Sequence, residues 1–81
     1  MNQNALAQVI KIVSEITKEP NISLSSTQEN TIGWDSLAYL VIAQELEDVF
    51  GVQITAENID LASSVTGIVK LISNLEGEIH V

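Results

Sequence analysis

Three segments of this chain repeat apolar residues at helical spacing, and residues that end helices lie between them. The first segment spans residues 4–18, and Pro20 ends it because proline lacks the backbone N–H that a helix interior uses. The second spans residues 36–50 and is followed by Gly51, at the place where a left-handed glycine often closes a helix. Two amphipathic helices are therefore predicted before residue 51.

The third segment spans roughly residues 65–77 and follows Ser63 and Ser64, either of which suits a helix N-cap. Apolar residues recur through it at helical spacing, so a third long helix is predicted. Residues 78–81 are predicted to form a frayed tail.

A long polar stretch, residues 21–33, separates the first two helices. It is rich in Ser, Thr and Asn, and it is predicted to be a loop. Three isolated apolar residues within it, Ile22, Leu24 and Ile32, are predicted to anchor the loop to the core. Loops of this length are uncommon in a compact domain and often serve function.

A short connection follows the second helix. Residues 52–54 are predicted to be extended, and Thr55 is predicted to cap a short helix over residues 56–61. The chain shows no internal repeat and no domain boundary. Residues 1–81 are therefore predicted to form one all-α domain, a four-helix bundle with three longer helices, one short helix and a long first loop.

The charge balance limits the partners of the chain. Eleven acidic residues against three lysines give a formal net charge of −8, and arginine is absent. Nucleic acid is not an expected partner, because a phosphate backbone requires a basic surface. An anionic membrane surface is disfavoured for the same reason. The negative electrostatic field of the chain favours association with proteins that carry basic patches.

Residue content excludes several kinds of site. The chain has no cysteine, so disulfides, thiolate metal sites and thiol nucleophiles are excluded. No segment spaces oxygen ligands as an EF-hand loop does, and the scattered glycines form no phosphate-binding loop. Neither a metal site nor a nucleotide site is predicted.

The start of the chain and its apolar runs predict a cytoplasmic protein without membrane insertion. The start lacks a basic region followed by an apolar block. The longest apolar run, residues 37–43, is far shorter than a membrane span. A compact, charged monomer is the expected state.

Residues 33–37, with the sequence Gly-Trp-Asp-Ser-Leu, place one hydroxyl at the start of the second helix. The first backbone N–H groups of a helix lack partners within it, so Asp35 or Ser36 suits the N-cap, and capping alone explains such a serine. Alternatively, Ser36 offers an exposed hydroxyl for a phosphate linkage beside the positive end of the helix dipole. The sole histidine, His80, is next to the C-terminus, so no catalytic residue is predicted.

The second helix is predicted to have an inner and an outer face. The inner face is expected to pack in the core and comprises Leu37, Leu40, Ala43, Leu46, Val49 and Phe50. The outer face is apolar near Ser36 and acidic farther along, and comprises Ala38, Val41, Glu45 and Asp48.

Trp34 has two interpretations. It is either an anchor that folds the loop onto the bundle or a partner-binding residue beside the serine. The anchor is favoured, because an exposed tryptophan surface is costly.

Beyond residues 33–37, the pattern includes Leu40, Leu46-Glu47, Phe50, Val52-Gln53-Ile54, Ser63-Ser64-Val65 and Ile68. In these residues the chain resembles the acyl carrier protein family, and no insertion or deletion is needed after Ser36 to match its pattern. The first helix and the loop match that family in length and pattern only.

The resemblance implies an acidic helical bundle in which Ser36, flanked by Asp35 and Leu37, carries 4'-phosphopantetheine from coenzyme A. It implies that acyl or aminoacyl groups are held as thioesters and presented to separate enzymes, so the chain is a carrier and not an enzyme. The implied partners are a phosphopantetheinyl transferase, an acyl- or aminoacyl-loading enzyme, and a downstream synthase or transferase. The resemblance further implies that these partners contact the outer face of the second helix.

Some family members enclose the acyl chain between the second and third helices. The positions that correspond to such a pocket here are Leu46, Ile54, Ala62 and Ile68. Each of them also suits an ordinary core position, and the core interpretation is favoured.

Two positions depart from the pattern of fatty-acid carriers. Those carriers usually have acidic residues just after the serine motif and one turn later, where this chain has Ala38 and Val41. A specialised polyketide, nonribosomal-peptide or related pathway is therefore predicted. Two alternatives stay open: a housekeeping fatty-acid synthesis carrier, and an unmodified carrier-like bundle that acts as a protein-binding or scaffolding subunit.

Overall fold

The fold consists of three α-helices and one short 3₁₀ helix. The computed structural model describes the backbone of residues 3–79 and the side chains of residues 5–73. The helices are α1 (Gln3–Thr17), α2 (Ser36–Phe50) and α3 (Val65–Ile79), and the 3₁₀ helix is Ile59–Ser63. Residues 3–79 contain no strand, so the predicted all-α fold is confirmed. None of the helices described there is long and apolar enough to cross a bilayer.

The helix ends follow the predicted capping chemistry closely. α1 ends at Thr17, and Lys18 adopts a left-handed φ of 62°. Gly51 closes α2 with φ 70° and donates its N–H to the Glu47 carbonyl at 3.0 Å. Ser64 begins α3, because its Oγ accepts the Gly67 N–H at 2.9 Å.

The C-terminal helix extends farther than predicted. Its backbone is helical to Ile79, so the predicted tail over residues 78–81 is wrong at its first two positions. The rest of that tail, including His80, lies outside the described residues.

The short helix lies later in the chain than predicted. It begins at Ile59 rather than at residue 56, and the Thr55 side chain does not cap it. The side chain of Asn58 organises the preceding residues into a turn. Its Oδ1 accepts the Thr55 N–H at 2.8 Å, and its Nδ2 donates to the Gln53 carbonyl at 3.0 Å. An asparagine that bonds nearby backbone favours a turn over a regular helix.

The core lies where the three α-helices and the 3₁₀ helix meet. α1 packs against α2 and α3, while the 3₁₀ helix packs against α2 and α3. The largest fully buried side chains come from every α-helix and from the end of the long loop, and they are Val9, Val13, Trp34, Ile42, Leu46, Val65 and Ile68. Branched aliphatic residues thus supply most of the core, as is usual for buried positions.

The rotation of α2 about its axis differs from the prediction. Leu37, Leu40 and Val49 were assigned to the inner face, but 70%, 56% and 46% of their surfaces are exposed. The buried residues of α2 are Ala38, Ile42, Ala43 and Leu46. Apolar residues occupy several sides of this helix, so spacing alone left its rotation ambiguous.

Three hydrogen bonds attach the long loop to the end of the 3₁₀ helix and the start of α3. The Val65 N–H donates to the Ser26 carbonyl at 3.1 Å, and the Thr66 hydroxyl donates to the Leu24 carbonyl at 2.8 Å. The Gln28 N–H donates to the Ser63 carbonyl at 2.8 Å. Backbone bonds therefore position the loop beside the 3₁₀ helix.

Side chains contribute less to the placement of the loop than predicted. Ile22 is buried and anchors the loop, whereas Leu24 and Ile32 are 51% and 96% exposed, so the prediction is wrong for both. At the end of the loop, a Cβ on Gly33 would collide with the Thr17 carbonyl oxygen, so this close approach requires glycine.

Candidate functional site

Ser36 is the first residue of α2, and its side chain is exposed. The N-cap is Asp35, whose Oδ1 accepts the Ala38 N–H at 2.8 Å. Asp35 has φ −90° and ψ −173°, the extended geometry of an N-cap residue. Within the described part of the chain, the Ser36 hydroxyl has no hydrogen-bond partner, so the helix does not use it as a cap.

This arrangement fits a covalently attached phosphodiester. The hydroxyl faces solvent, where a modifying enzyme can reach it, and the N-terminus of a helix favours an anion. Leu37 follows it with 70% of its surface exposed. The position of the exposed Ser36 hydroxyl at the start of the helix therefore suits a phosphate linkage.

Loss of the Asp35 cap is expected to weaken α2. Asp35→Ala should lower the free energy of unfolding by about 0.5–2 kcal/mol, because the Ala38 N–H loses its acceptor. Urea denaturation measures this difference. Asp35→Asn keeps a capping oxygen and should stay close to wild type; equal losses in both variants would contradict the capping role.

Trp34 is an anchor and not a surface residue. Only 1% of its surface is exposed, so its predicted place on the partner surface is wrong and its interpretation as an anchor is confirmed. Its backbone N–H donates to the Thr31 carbonyl at 3.0 Å, and its indole Nε1 is buried without a partner among the described residues. Burial of this side chain holds the chain in position just before Ser36.

Ala38 also differs from its predicted place on the outer face. It is 7% exposed, one turn before buried Ile42 and two turns before buried Leu46, so it belongs to the inward row of α2. The Asp35 cap reinforces this placement by bonding the Ala38 N–H.

The remaining residues predicted for the outer face are accessible. Val41 is 44% exposed, Glu45 is half-buried and Asp48 is exposed. Asp48 accepts a hydrogen bond from the Gln44 side chain at 3.3 Å. Leu37 and Leu40, assigned to the core by their spacing, lie on the surface near Val41 instead. The surface of α2 is therefore apolar near Ser36 and acidic toward its end.

The residues predicted to line an acyl pocket are packed in the core or at its edge. Leu46, Ala62 and Ile68 have no exposed surface, and Ile54 is half-buried against the core. The Ile54 N–H donates to the Glu47 carboxylate at 3.0 Å, which ties the link after α2 back to that helix. These positions match the core interpretation, which sequence analysis favoured.

A groove of about 500 Å³ opens beside Ser36 at a different place. All its lining side chains carry a hydrogen-bonding group, and they are Thr27, Gln28, Glu29, Ser36, Tyr39, Asp60, Ser63 and Ser64. No sequence pattern indicated this groove. Its walls come from the loop, α2 and the 3₁₀ helix, and the Gln28–Ser63 and Val65–Ser26 backbone bonds help to hold the loop there.

Tyr39 connects α2 to the 3₁₀ helix along this groove. Its hydroxyl donates to the Ile59 carbonyl at 2.8 Å. Burial raises the pKa of the Tyr39 phenol, and the nearby Asp60 carboxylate raises it further. The hydroxyl therefore stays protonated and remains a donor at neutral pH.

A family model described as "Phosphopantetheine attachment site" matches residues 7–72. The match covers most of α1, the loop, all of α2 and the 3₁₀ helix, and the start of α3. The chain belongs to this family. Proteins of the phosphopantetheine attachment family carry 4'-phosphopantetheine covalently, so the predicted cofactor and the resemblance to acyl carrier proteins are confirmed. Searches of curated proteins and of solved structures return no significant match.

Proposed function

We propose that Ser36 is the attachment residue and that the protein is a carrier of acyl or aminoacyl groups. The observation that carries this proposal is the exposed Ser36 hydroxyl at the start of α2, which leaves capping to Asp35. The attached group would supply a thiol, which this cysteine-free chain lacks, and the thiol holds acyl groups as thioesters. Ser36 positions that group at the end of a rigid helix.

The carrier depends on other enzymes for chemistry. Ser36 makes no hydrogen bond to a base among the described residues, so a phosphopantetheinyl transferase would supply the base and the metal for its modification. A loading enzyme and a downstream synthase or transferase would then act on the acyl group. The net charge of −8 favours partners with basic patches.

The exposed surface of α2 supports a specialised pathway. Leu37, Leu40 and Val41 form its apolar part, and the acidic residues follow farther along. Partners that suit this surface would combine an apolar contact near Ser36 with basic residues beyond it. Polyketide, nonribosomal-peptide and related pathways are proposed on this basis. A cytoplasmic location and a monomeric state stay predictions.

Modification in vitro tests the assignment. The purified protein is incubated with coenzyme A and a broad-specificity phosphopantetheinyl transferase, and its intact mass is measured. The expected result is a gain of one phosphopantetheine group per chain. An unchanged mass would instead favour the unmodified scaffolding subunit.

Val41→Asp is expected to weaken partner contact without loss of fold. Val41 is 44% exposed near Ser36, and a new charge there would remain unpaired in an apolar contact. We expect kcat/KM for modification by the transferase to fall at least about fivefold, or about 1 kcal/mol.

Val49→Asp is the matched control for this experiment. Val49 is 46% exposed on the same helix but lies at its far end. It should be modified at nearly the wild-type rate. If the two variants are modified at equal rates while circular dichroism shows unchanged helicity, Val41 is not part of the partner surface.

A further inference from the structure

The groove beside Ser36 has the size of a small-molecule site. Its volume of about 500 Å³ lies within the range of roughly 300–1,000 Å³ that is usual for such sites. Ser36 is one of its lining residues, so a group attached to the Ser36 hydroxyl begins at the groove. Loop residues 27–29 form one wall, and the 3₁₀ helix with Tyr39 forms the other.

The lining of this groove suits polar ligands. The lining residues contribute hydroxyl groups, an amide and two carboxylates, and every lining side chain carries a hydrogen-bonding atom. The side chains of Gln28, Glu29 and Asp60 have no hydrogen-bond partner among the described residues, so an alkyl chain placed there would remove water from them without replacing its hydrogen bonds, which is unfavourable. The amides and hydroxyl of a pantetheine arm, and a polar acyl group at its end, would replace them.

The core residues that could line an acyl pocket are shielded from solvent. Leu46, Ala62 and Ile68 have no exposed surface, and close-packed interiors leave few voids larger than water. The Tyr39 hydroxyl bonds to the Ile59 carbonyl and holds the 3₁₀ helix against α2. An acyl chain would have to separate these elements before it reached the core.

The charges at the groove disfavour anionic groups. Glu29 and Asp60 both line it, and no lysine is among its lining residues. Neither carboxylate makes a hydrogen bond or ion pair among the described residues, so both retain their negative field. A free carboxylate on the acyl group would be repelled, whereas a hydroxyl or an ammonium group would be accepted.

We propose that this groove, rather than the bundle interior, receives the acyl group carried through Ser36. We further propose that it favours a polar group without negative charge, such as an aminoacyl or hydroxyacyl group. This inference rests on the function proposed above. The proposed acyl group is restricted to polar groups without negative charge, and it contacts residues of the loop and the 3₁₀ helix.

Nuclear magnetic resonance of the loaded protein tests the inference. The transferase attaches β-alanyl, 3-hydroxybutyryl, octanoyl or malonyl pantetheine from the matching coenzyme A thioester, and intact mass confirms each product. Failure to load any group at Ser36 would contradict the proposed function itself. The chemical shifts of backbone amides and side-chain methyl groups are then compared with those of the protein that carries phosphopantetheine without an acyl group.

The β-alanyl and 3-hydroxybutyryl groups are expected to shift amides of residues 27–29, Asp60 and Ser63. The octanoyl and malonyl groups should leave those amides unchanged, and Leu46 and Ile68 methyls should not move. Octanoyl-dependent shifts of Leu46 and Ile68 would show entry into the core and overturn the inference. Equal groove shifts from all four groups would overturn the proposed selectivity.

Charge variants test the discrimination directly. The double variant Glu29→Gln with Asp60→Asn should now admit the malonyl group, so that malonyl shifts the groove amides as 3-hydroxybutyryl does. Glu57→Gln is the matched control, because Glu57 is an exposed acid of the neighbouring turn outside the groove lining. It should behave as wild type. A malonyl spectrum unchanged by the double variant would contradict the charge argument.

Discussion

The Ser36→Ala variant is expected to fold as wild type and to gain no mass with coenzyme A and the transferase. The Ser36 hydroxyl makes no hydrogen bond among the described residues, and Asp35 supplies the N-cap. Alanine also favours the helix at least as well as serine. The thermal unfolding midpoint should therefore stay the same while modification is lost completely. This combination would show that Ser36 serves for attachment and not for stability.

Ser25→Ala is the control for this result. Ser25 is also exposed, and among the described residues its hydroxyl hydrogen-bonds only the Ser23 hydroxyl, at 3.0 Å. This variant should gain the same mass as wild type. A mass gain that survives Ser36→Ala would place the attachment on another residue and contradict the proposal.

The second large effect is expected for Leu46→Ala, with a loss of about 2–5 kcal/mol in the free energy of unfolding. Leu46 has no exposed surface, and its side chain belongs to the central core cluster. The substitution removes buried apolar contacts and leaves a cavity that the neighbouring helices fill only in part. Small domains are stable by only about 5–15 kcal/mol, so urea unfolding should show a large shift of the midpoint.

Leu40→Ala makes the matched comparison on the same helix. Leu40 is 56% exposed, so the same chemical change should alter stability by about 0.5 kcal/mol or less. Similar losses in the two variants would show that the observed rotation of α2 is wrong. The pair therefore tests the burial pattern, independently of whether Ser36 is modified.

Local chemistry accounts for the parts of the fold that were predicted correctly. Pro20 limits α1, Gly51 closes α2 in a left-handed geometry, and Ser64 caps α3. Each of these effects acts within about one helical turn, so neighbouring residues suffice to identify it. The motif around Ser36 was recognised for the same reason, and the family match is consistent with it.

Packing decided the features that were predicted wrongly. Ala38 and Leu40 both suit either face of an apolar helix, and only the positions of α1 and the 3₁₀ helix show that the first is buried and the second exposed. Trp34 had two interpretations until its burial excluded the partner surface. The short helix begins later than predicted because the Asn58 side chain holds the preceding residues in a turn, which helix propensity alone did not indicate.

The sequence by itself determined that this protein is a small acidic helical bundle with one hydroxyl at the start of its second helix, because periodicity and capping act over short distances. Of the two candidate caps that the sequence offers, the structure selects Asp35 and leaves Ser36 exposed. It also decided that Ser36 opens onto a polar groove. Loop residues 27–29 and the 3₁₀ helix, which both line that groove, lie about thirty residues apart in the chain, and long-range packing and hydrogen bonds bring them together.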